Sequence, residues 1–127
     1  MAKYILLAIL VAMLGYSIYN LLQQKKIIKV LTQDQFIEGY RKAQLIDVRE
    51  PNEYESGHIL GARNIPLSQL KMRLKEIRPD KPVYLYCQGR SRSARAAQIL
   101  YKKHGCRDIY QLKGGFKKWT GRIKVGK

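Results

Sequence analysis

The sequence contains few cysteines, few prolines and few acidic residues. Only two of its 127 residues are cysteine, Cys87 and Cys106, so the chain lacks the disulfide framework of small secreted domains and a reducing compartment is favoured. It also lacks internal repeats and low-complexity tracts, which excludes a repeat architecture. Apolar residues make up 46% of the chain, which excludes a disordered protein. The length leaves room for one domain with a short appendage.

Acidic residues are scarce beside basic ones. Nine Asp and Glu stand against 25 Lys and Arg, for a formal net charge of +16. Such an excess indicates anionic neighbours, which include nucleic acid, anionic lipid and small anionic substrates. The basic residues are spread along the chain without a nucleic-acid-binding motif. Lipid and an anionic substrate therefore explain the charge more simply, and no nucleic-acid partner is expected.

The longest apolar run lies at the N-terminus. No charged residue occurs from Tyr4 to Leu22, and about 19 residues of helix reach about 28 Å, close to the thickness of a bilayer core. Lys3 supports the alternative of a cleaved signal peptide, but no small-x-small cleavage site follows Leu22. We predict a retained transmembrane anchor with its flank over residues 1–24, and a globular domain over residues 25–127.

Basic residues cluster after this run. Lys25, Lys26 and Lys29 outnumber Lys3 on the other side, so the positive-inside rule predicts a single-pass protein of the cell membrane with its C-terminal domain in the cytoplasm. Residues 23–28 are expected to form a short juxtamembrane linker.

Strand and helix signals alternate in the rest of the chain. Short apolar runs predict strands at residues 28–31, 44–48, 82–86 and 108–112, while residues 51–66 are typical of a loop with one helical turn. Helices are expected at residues 32–41, across Leu67–Ile77, around Ala94–Tyr101 and, as a short one, at Trp119. Thr32 with Gln35 resembles a capping box at the start of the first of these helices, and Gly105 marks the end of the third. Gly114-Gly115 indicates a turn before the last one. This order predicts an α/β fold with a parallel sheet covered on both faces, in which ligands bind at the carboxyl ends of the strands.

A polar loop follows the strand signal that ends at Tyr86. It reads Cys87-Gln88-Gly89-Arg90-Ser91-Arg92-Ser93. A loop between a strand and a helix turns backbone N–H groups and the helix N-terminus towards one point, which favours a thiolate on Cys87 or a bound oxyanion there. The two arginines add positive charge, and Gly89 permits a backbone conformation closed to other residues. An inert, buried Cys87 with solvated arginines is the alternative.

The spacing Cys-x4-Arg in this loop resembles the active loop of rhodanese domains. From about Ile28 to Trp119 further motifs of that family occur in the same order: Leu45-Ile46-Asp47-Val48-Arg49, then Gly57-His58-Ile59, Gly61-Ala62 and Asn64-Ile65-Pro66, and finally Leu112-Lys113-Gly114-Gly115 with Trp119. Several motifs in order are specific, whereas each alone is weak. The resemblance implies a rhodanese-like α/β fold and does not extend to the N-terminal helix.

The resemblance also implies a persulfide mechanism. Cys87 would take the outer sulfur of thiosulfate or another sulfane donor and pass it to cyanide, a thiol or a protein cysteine. Residues from Gln88 to Ser93 would cradle the persulfide, and Arg90 and Arg92 would bind the anionic donor. No cofactor and no metal are expected.

Five further residues invite a functional interpretation. Asp47 and Arg49 either touch the active loop or form a structural ion pair with Glu50 or Arg63, and we favour the structural role. His58 and His104 lack the spacing of metal ligands and are interpreted as structural residues of a loop and a helix end. Cys106 is interpreted as a small, partly buried apolar residue rather than a resolving thiol for Cys87.

Two rival functions remain open at this point. Cysteine-dependent phosphatases also cradle an oxyanion between a strand and a helix, but they resemble Cys-x5-Arg, whereas Ser93 occupies that position here. A membrane-tethered, non-catalytic protein-interaction module is the other alternative. Silent members of the rhodanese family usually lack the cysteine, so the presence of Cys87 favours an enzyme.

Overall fold

The computed structural model describes the backbone of residues 1–127 and the side chains of residues 1–22 and 28–127. The helices are α1 (Ala2–Ile27), α2 (Gln33–Gly39), α3 (Pro51–Ser56) and α4 (Ser91–His104). The strands are β1 (Ile28–Leu31), β2 (Gln44–Asp47), β3 (His58–Ile59), β4 (Arg63–Asn64), β5 (Val83–Tyr86), β6 (Ile109–Leu112) and β7 (Ile123–Lys124). Short 3₁₀ segments span Tyr40–Lys42, Leu67–Met72, Leu74–Glu76 and Phe116–Lys118.

Helix α1 contains the apolar run. Its segment Ala2–Leu22 has 21 residues with a mean hydropathy of 2.1, and none of the most apolar stretch is buried against the rest of the chain. The helix is therefore long and apolar enough to cross a membrane, although a signal sequence has the same properties. The linker predicted at residues 23–28 falls mainly on side chains outside the described residues.

Five strands form a parallel sheet in the order β1-β6-β5-β2-β4. Strand β5 lies at its centre, because β2 and β6 pair with it on either side. The predicted α/β fold with a central parallel sheet is thus confirmed. Parallel neighbours end at the same edge, so the residues that follow β2, β5 and β6 lie close together.

Apolar clusters cover both faces of this sheet. On one face α4 and the segment Leu67–Met72 pack over the central strands, and Leu70, Leu85 and Leu100 are fully buried there. On the other face aromatic rings from α2 and from the C-terminal region pack together, as in the edge-to-face contact of Phe36 with Trp119 at 6.2 Å. The two clusters fix the central strands from both sides.

The helix expected across Leu67–Ile77 is wrong in type. This stretch forms two 3₁₀ segments, in which Arg73 N–H donates to the Leu70 carbonyl and Ile77 N–H to the Leu74 carbonyl. Side chains three residues apart align on a 3₁₀ helix, so Leu67 with Leu70 and Leu74 with Ile77 face the core as two separate pairs. Leu70 and Leu74 are four residues apart rather than three, because Arg73 lies between the two 3₁₀ segments.

Other local expectations held. Thr32 and Gln35 form a capping box at the start of α2, and Gly105 ends α4 with φ of 73°. Sequence reasoning missed the antiparallel pairing of β3 with β7, which joins His58 to Lys124. Two-residue strands carry too few side chains for an alternation pattern to appear.

Candidate active site

The predicted active loop lies at the carboxyl edge of the sheet. Cys87 directly follows β5, and α4 begins four residues later at Ser91. The Cys87 side chain is buried, whereas Gln88, Gly89, Arg90 and Ser91 are exposed. The thiol therefore lies at the floor of a loop whose rim faces solvent.

The Cys87 sulfur sits against the first turn of α4. The backbone N–H of Ser93, the third residue of the helix, donates to Sγ at 3.3 Å, and the Ser93 hydroxyl oxygen lies 3.5 Å from the same atom. A helix N-terminus carries a partial positive charge and unsatisfied N–H groups. This arrangement stabilises negative charge on the sulfur.

The segment Phe116–Lys118 forms backbone hydrogen bonds with the active loop. Phe116 N–H donates to the Cys87 carbonyl at 2.8 Å, and Lys117 N–H donates to the Gln88 carbonyl at 3.0 Å. The approach requires glycine at 115, where a Cβ would lie 2.6 Å from the Gln88 oxygen and closer still to the Gly89 oxygen. Gly115 also has φ of 65° and ψ of −167°, a conformation open almost only to glycine.

Gly89 does not adopt the backbone conformation closed to other residues that the sequence predicted for it. Its φ is not positive, and an added Cβ would meet nothing within 4 Å. That expectation is wrong, because the close backbone approach occurs at Gly115, across the loop rather than within it. The Gly114-Gly115 motif indicated a turn but not its contact partner.

Arg92 is held by α3. Its guanidinium donates to both carboxylate oxygens of Glu53, at 2.6 and 3.0 Å. The hydrogen bond to Arg92 lowers the pKa of Glu53 to about 2, so the carboxylate is ionised at neutral pH. The charge of Arg92 is therefore compensated, and sequence reasoning did not find Glu53.

Arg90 differs from Arg92 in its surroundings. It is exposed and lines a cleft beside the loop, together with Gly89, Lys113 and Lys118. Among the described residues no carboxylate lies within salt-bridge distance of its guanidinium. Of the two arginines predicted to bind an anionic donor, Arg90 has the uncompensated charge.

Asp47 and Arg49 form a buried ion pair with each other. Arg49 Nη2 lies 2.7 Å from Asp47 Oδ2, and the guanidinium also donates to the Gly57 carbonyl and, at 3.3 Å, to Gln88 Oε1. The ring centroid of Phe116 lies 4.3 Å from the Arg49 guanidinium carbon. The favoured structural role is confirmed, but the expected partners Glu50 and Arg63 are wrong, because the two residues pair with each other. The pair also touches the active loop through Gln88.

A buried polar chain leads from Ser93 to β6. The Ser93 hydroxyl lies 3.0 Å from the Arg90 carbonyl oxygen and 3.2 Å from Oε1 of Gln111. Gln111 is 4% exposed and also borders the cleft beside Arg90. Sequence reasoning missed Gln111, because a glutamine within a strand gives no signal of a site.

Cys106 lies apart from this chemistry. It is fully buried in the cluster under α4, and burial raises the pKa of its thiol. A neutral thiol is a poor nucleophile, which fits the apolar role expected of Cys106. His58 stacks on Tyr54 with ring centroids 3.6 Å apart, and His104 Nε2 contacts the Ile77 carbonyl oxygen at 2.6 Å. Both histidines therefore make structural contacts within the fold.

Comparisons with known proteins identify the family of this chain. The rhodanese-like domain model matches residues 18–122. The chain is 64% identical to the uncharacterized protein YqhL of Bacillus subtilis over the full length of both. It is 33% identical to the putative sulfur carrier protein YrkF of that organism, over 71% of this chain and 48% of the other.

A solved structure shows the same fold. The rhodanese-related protein of Thermoplasma volcanium superimposes with a TM-score of 0.69 at 27% identity, covering 76% of this chain and 98% of that chain. The family match spans most of the chain and includes every residue of the active loop. The chain therefore belongs to the rhodanese-like domain family.

Proposed function

We propose that this protein is a sulfurtransferase that carries sulfane sulfur as a persulfide on Cys87. The observation that carries the proposal is the position of Sγ, 3.3 Å from the Ser93 N–H at the start of α4. The N-terminus of α4 stabilises negative charge on Sγ, and the outer sulfur of a persulfide, which carries the charge after the transfer, would lie within the same loop. The similarity to a putative sulfur carrier protein supports the proposal.

In the first half-reaction the Cys87 thiolate attacks the outer sulfur of thiosulfate. A new S–S bond forms on Cys87, the S–S bond of the donor breaks, and sulfite leaves with the electron pair. Arg90 would bind the dianionic donor at the rim of the loop, because its charge is uncompensated. Gln88 and Ser93 would line the persulfide, Gln88 held by Arg49 and Ser93 by Gln111.

In the second half-reaction a thiophilic acceptor attacks the outer sulfur of the persulfide. Cyanide leaves as thiocyanate, and a thiolate leaves as a new persulfide. The Cys87 thiolate is regenerated with the electron pair of the broken S–S bond. No oxidant or reductant is consumed, so the cycle needs no cofactor.

The test is the intact mass of the full chain in detergent micelles, before and after thiosulfate. We expect a gain of one sulfur atom, about 32 Da, that cyanide removes. Cys87→Ser abolishes the gain, whereas Cys106→Ser keeps it and serves as the matched control. If the folded protein takes up no sulfur from any sulfane donor, the proposal is wrong and a non-catalytic interaction module replaces it.

We further propose that α1 holds the domain at the cytoplasmic face of the cell membrane. The support is the apolar segment Ala2–Leu22, with a mean hydropathy of 2.1, and the excess of lysines that follows it. A site tethered in this way would meet donors and acceptors close to the bilayer.

A further inference from the structure

The end of helix α1 turns back over the sheet towards the active loop. A helix that continued the line of β1 would place Leu21 about 10 Å beyond Ile28, on the side away from the active loop. Instead, Leu21 lines a space of about 530 Å³ together with Val30 of β1 and Arg90 of the active loop. The apolar segment that precedes Leu21 therefore leaves the domain near the edge of the sheet that carries the active loop.

The surface at this edge is positively charged. Arg90, Lys113 and Lys118 are exposed and line one cleft beside the active loop; these three residues are the cationic face. None of the described residues that line this cleft is acidic. Val30 and Arg90 border both the cleft and the space that Leu21 lines. The cationic face is therefore contiguous with the place where α1 meets the domain.

The charges of the cationic face are not compensated. Among the residues whose side chains the structure describes, no salt bridge involves Arg90, Lys113 or Lys118. Asp34, exposed in the first turn of α2, directly follows Gln33 of the cleft. Three cationic groups less this one carboxylate still leave an excess of two positive charges.

The arginines on the other side of the active loop are compensated. The strand order β1-β6-β5-β2-β4 puts β1, which follows α1, at one side of the sheet. Beyond the active loop, after β2, Arg49 pairs with Asp47 and Arg92 pairs with Glu53. The uncompensated arginine of the active loop therefore lies on the side of α1. Anionic lipid headgroups have the charge that complements such a surface.

We propose that the cationic face docks on the anionic headgroups of the bilayer that α1 spans, so that the active loop lies at the lipid surface. This inference rests on the proposed membrane attachment and does not depend on the sulfur chemistry. Attraction between basic groups and anionic lipid acts over about a Debye length, which is about 8 Å at physiological salt. Because α1 joins the domain beside Arg90, the tether keeps the cationic face close to the headgroups.

The test compares two bilayers that hold the full chain. The protein is placed in nanodiscs of phosphatidylcholine alone, or with about one-third phosphatidylglycerol, and an uncharged reagent acetylates its exposed lysines. Peptide masses give the rate at each lysine. We expect Lys113 and Lys118 to react about threefold or more slowly in the anionic discs, because docking covers them with headgroups. Lys81, which precedes β5 at the opposite edge of the sheet, should change by less than about 1.5-fold.

The decisive variant is Lys118→Glu, which removes the excess of positive charge and leaves Lys113 as the reporter. We expect Lys113 to react at rates within about 1.5-fold in the two discs. The matched control is Lys75→Glu, because Lys75 is exposed, does not line the cleft, and undergoes the same charge change. This control should keep the slow reaction of Lys113 in the anionic discs. Salt at 1 M should abolish it in the wild type, because the Debye length falls to about 3 Å.

The outcomes separate docking from the proposals on which it does and does not rest. Equal rates at Lys113 in the two discs, with the wild-type chain inserted, overturn docking alone. Equal slowing of Lys113 and Lys81 overturns it too, because the domain then approaches the lipid without a preferred face. A chain that enters neither disc overturns the membrane attachment and this inference with it. Sulfur uptake in micelles is measured without a bilayer, so its failure overturns only the sulfurtransferase proposal.

Discussion

At the scale of single residues, the two arginines of the active loop have different electrostatic roles. Both follow Cys87 within five positions, and the sequence suggests the same role for each. The structure pairs Arg92 with Glu53 on α3, while Arg90 faces the cleft. The partner of Arg92 is 39 residues away along the chain, and no local pattern indicates such a contact.

The pairing of Glu53 with Arg92 predicts a pH dependence of stability. The pKa of Glu53 is lowered from 4.5 to about 2 in the folded chain by its hydrogen bond to Arg92. A lowered carboxyl pKa stabilises the fold above the unfolded-state value, and this stabilisation is lost as the pH falls from about 4.5 towards 2. The pair is about one-third exposed, so its contribution is about 1 kcal/mol or less.

The measurement is denaturant unfolding of the wild type and Glu53→Gln at pH 6 and pH 3. We expect the variant to be less stable at pH 6, and the difference to shrink at pH 3. Glu55→Gln is the matched control, because Glu55 lies exposed on the same helix and forms no salt bridge among the described residues. A difference that is equal at both pH values contradicts this account.

At the scale of elements, the active loop depends on the segment Phe116–Lys118 more than on its own glycine. Two backbone N–H groups of that segment bind the loop carbonyls of Cys87 and Gln88. These bonds form only because Gly115 lets the two backbones approach each other. The loop is thus shaped by an element that follows it by about 25 residues.

This dependence predicts a large effect of Gly115→Ala. The added methyl group meets three loop carbonyls in a backbone conformation that alanine avoids, so we expect a loss of about 2–4 kcal/mol in stability. Sulfur uptake on Cys87 should fall about tenfold or more, because the displaced loop no longer presents the Ser93 N–H to sulfur. Denaturant unfolding and intact mass after thiosulfate measure the two effects.

Gly105→Ala is the control for backbone strain. Gly105 also has positive φ, at 73°, but an added Cβ there would meet nothing within 4 Å. It should cost about 1 kcal/mol and leave sulfur uptake unchanged. If both variants behave alike, strain alone explains Gly115, and the close approach to the loop is unimportant.

The elements also show which parts of the fold a sequence can predict. Strand β5 and helix α4 were predictable because their apolar side chains recur at strand or helix spacing and because Gly105 marks a helix end. The same spacing misled at Leu67–Ile77, since residues three apart also align on a 3₁₀ helix. Within the site, Cys87 and its loop were predictable from local order. Glu53, Gln111 and the role of Gly115 were not, because they act through contacts between distant segments.

At the scale of the whole molecule, the end of the anchor helix lies beside the active loop. Helix α1 leads into the start of β1, and the active loop follows the end of β5. Leu21 of α1 nevertheless lines the same space as Arg90 of the active loop, together with Val30 of β1. A membrane that holds α1 would therefore lie close to the active loop.

The whole chain has two features that favour a membrane, its apolar helix and its charge of +16, and extraction separates them. Attraction to anionic lipid is screened at 1 M salt, where the Debye length is about 3 Å. An inserted helix of about 20 apolar residues is held by its burial in hydrocarbon. We expect the full chain to stay with the membrane fraction in 1 M salt and at alkaline pH, with the intact mass of a chain that begins at Met1.

Leu10→Arg with Leu14→Arg should release the chain from the membrane fraction, because an arginine at the centre of a span costs about 2.5–3.5 kcal/mol. Lys75→Glu with Lys81→Glu lowers the net charge without altering the helix and should leave the chain bound. Release of the wild type by salt would assign the attachment to charge, and a chain that begins near residue 23 would identify the helix as a cleaved signal.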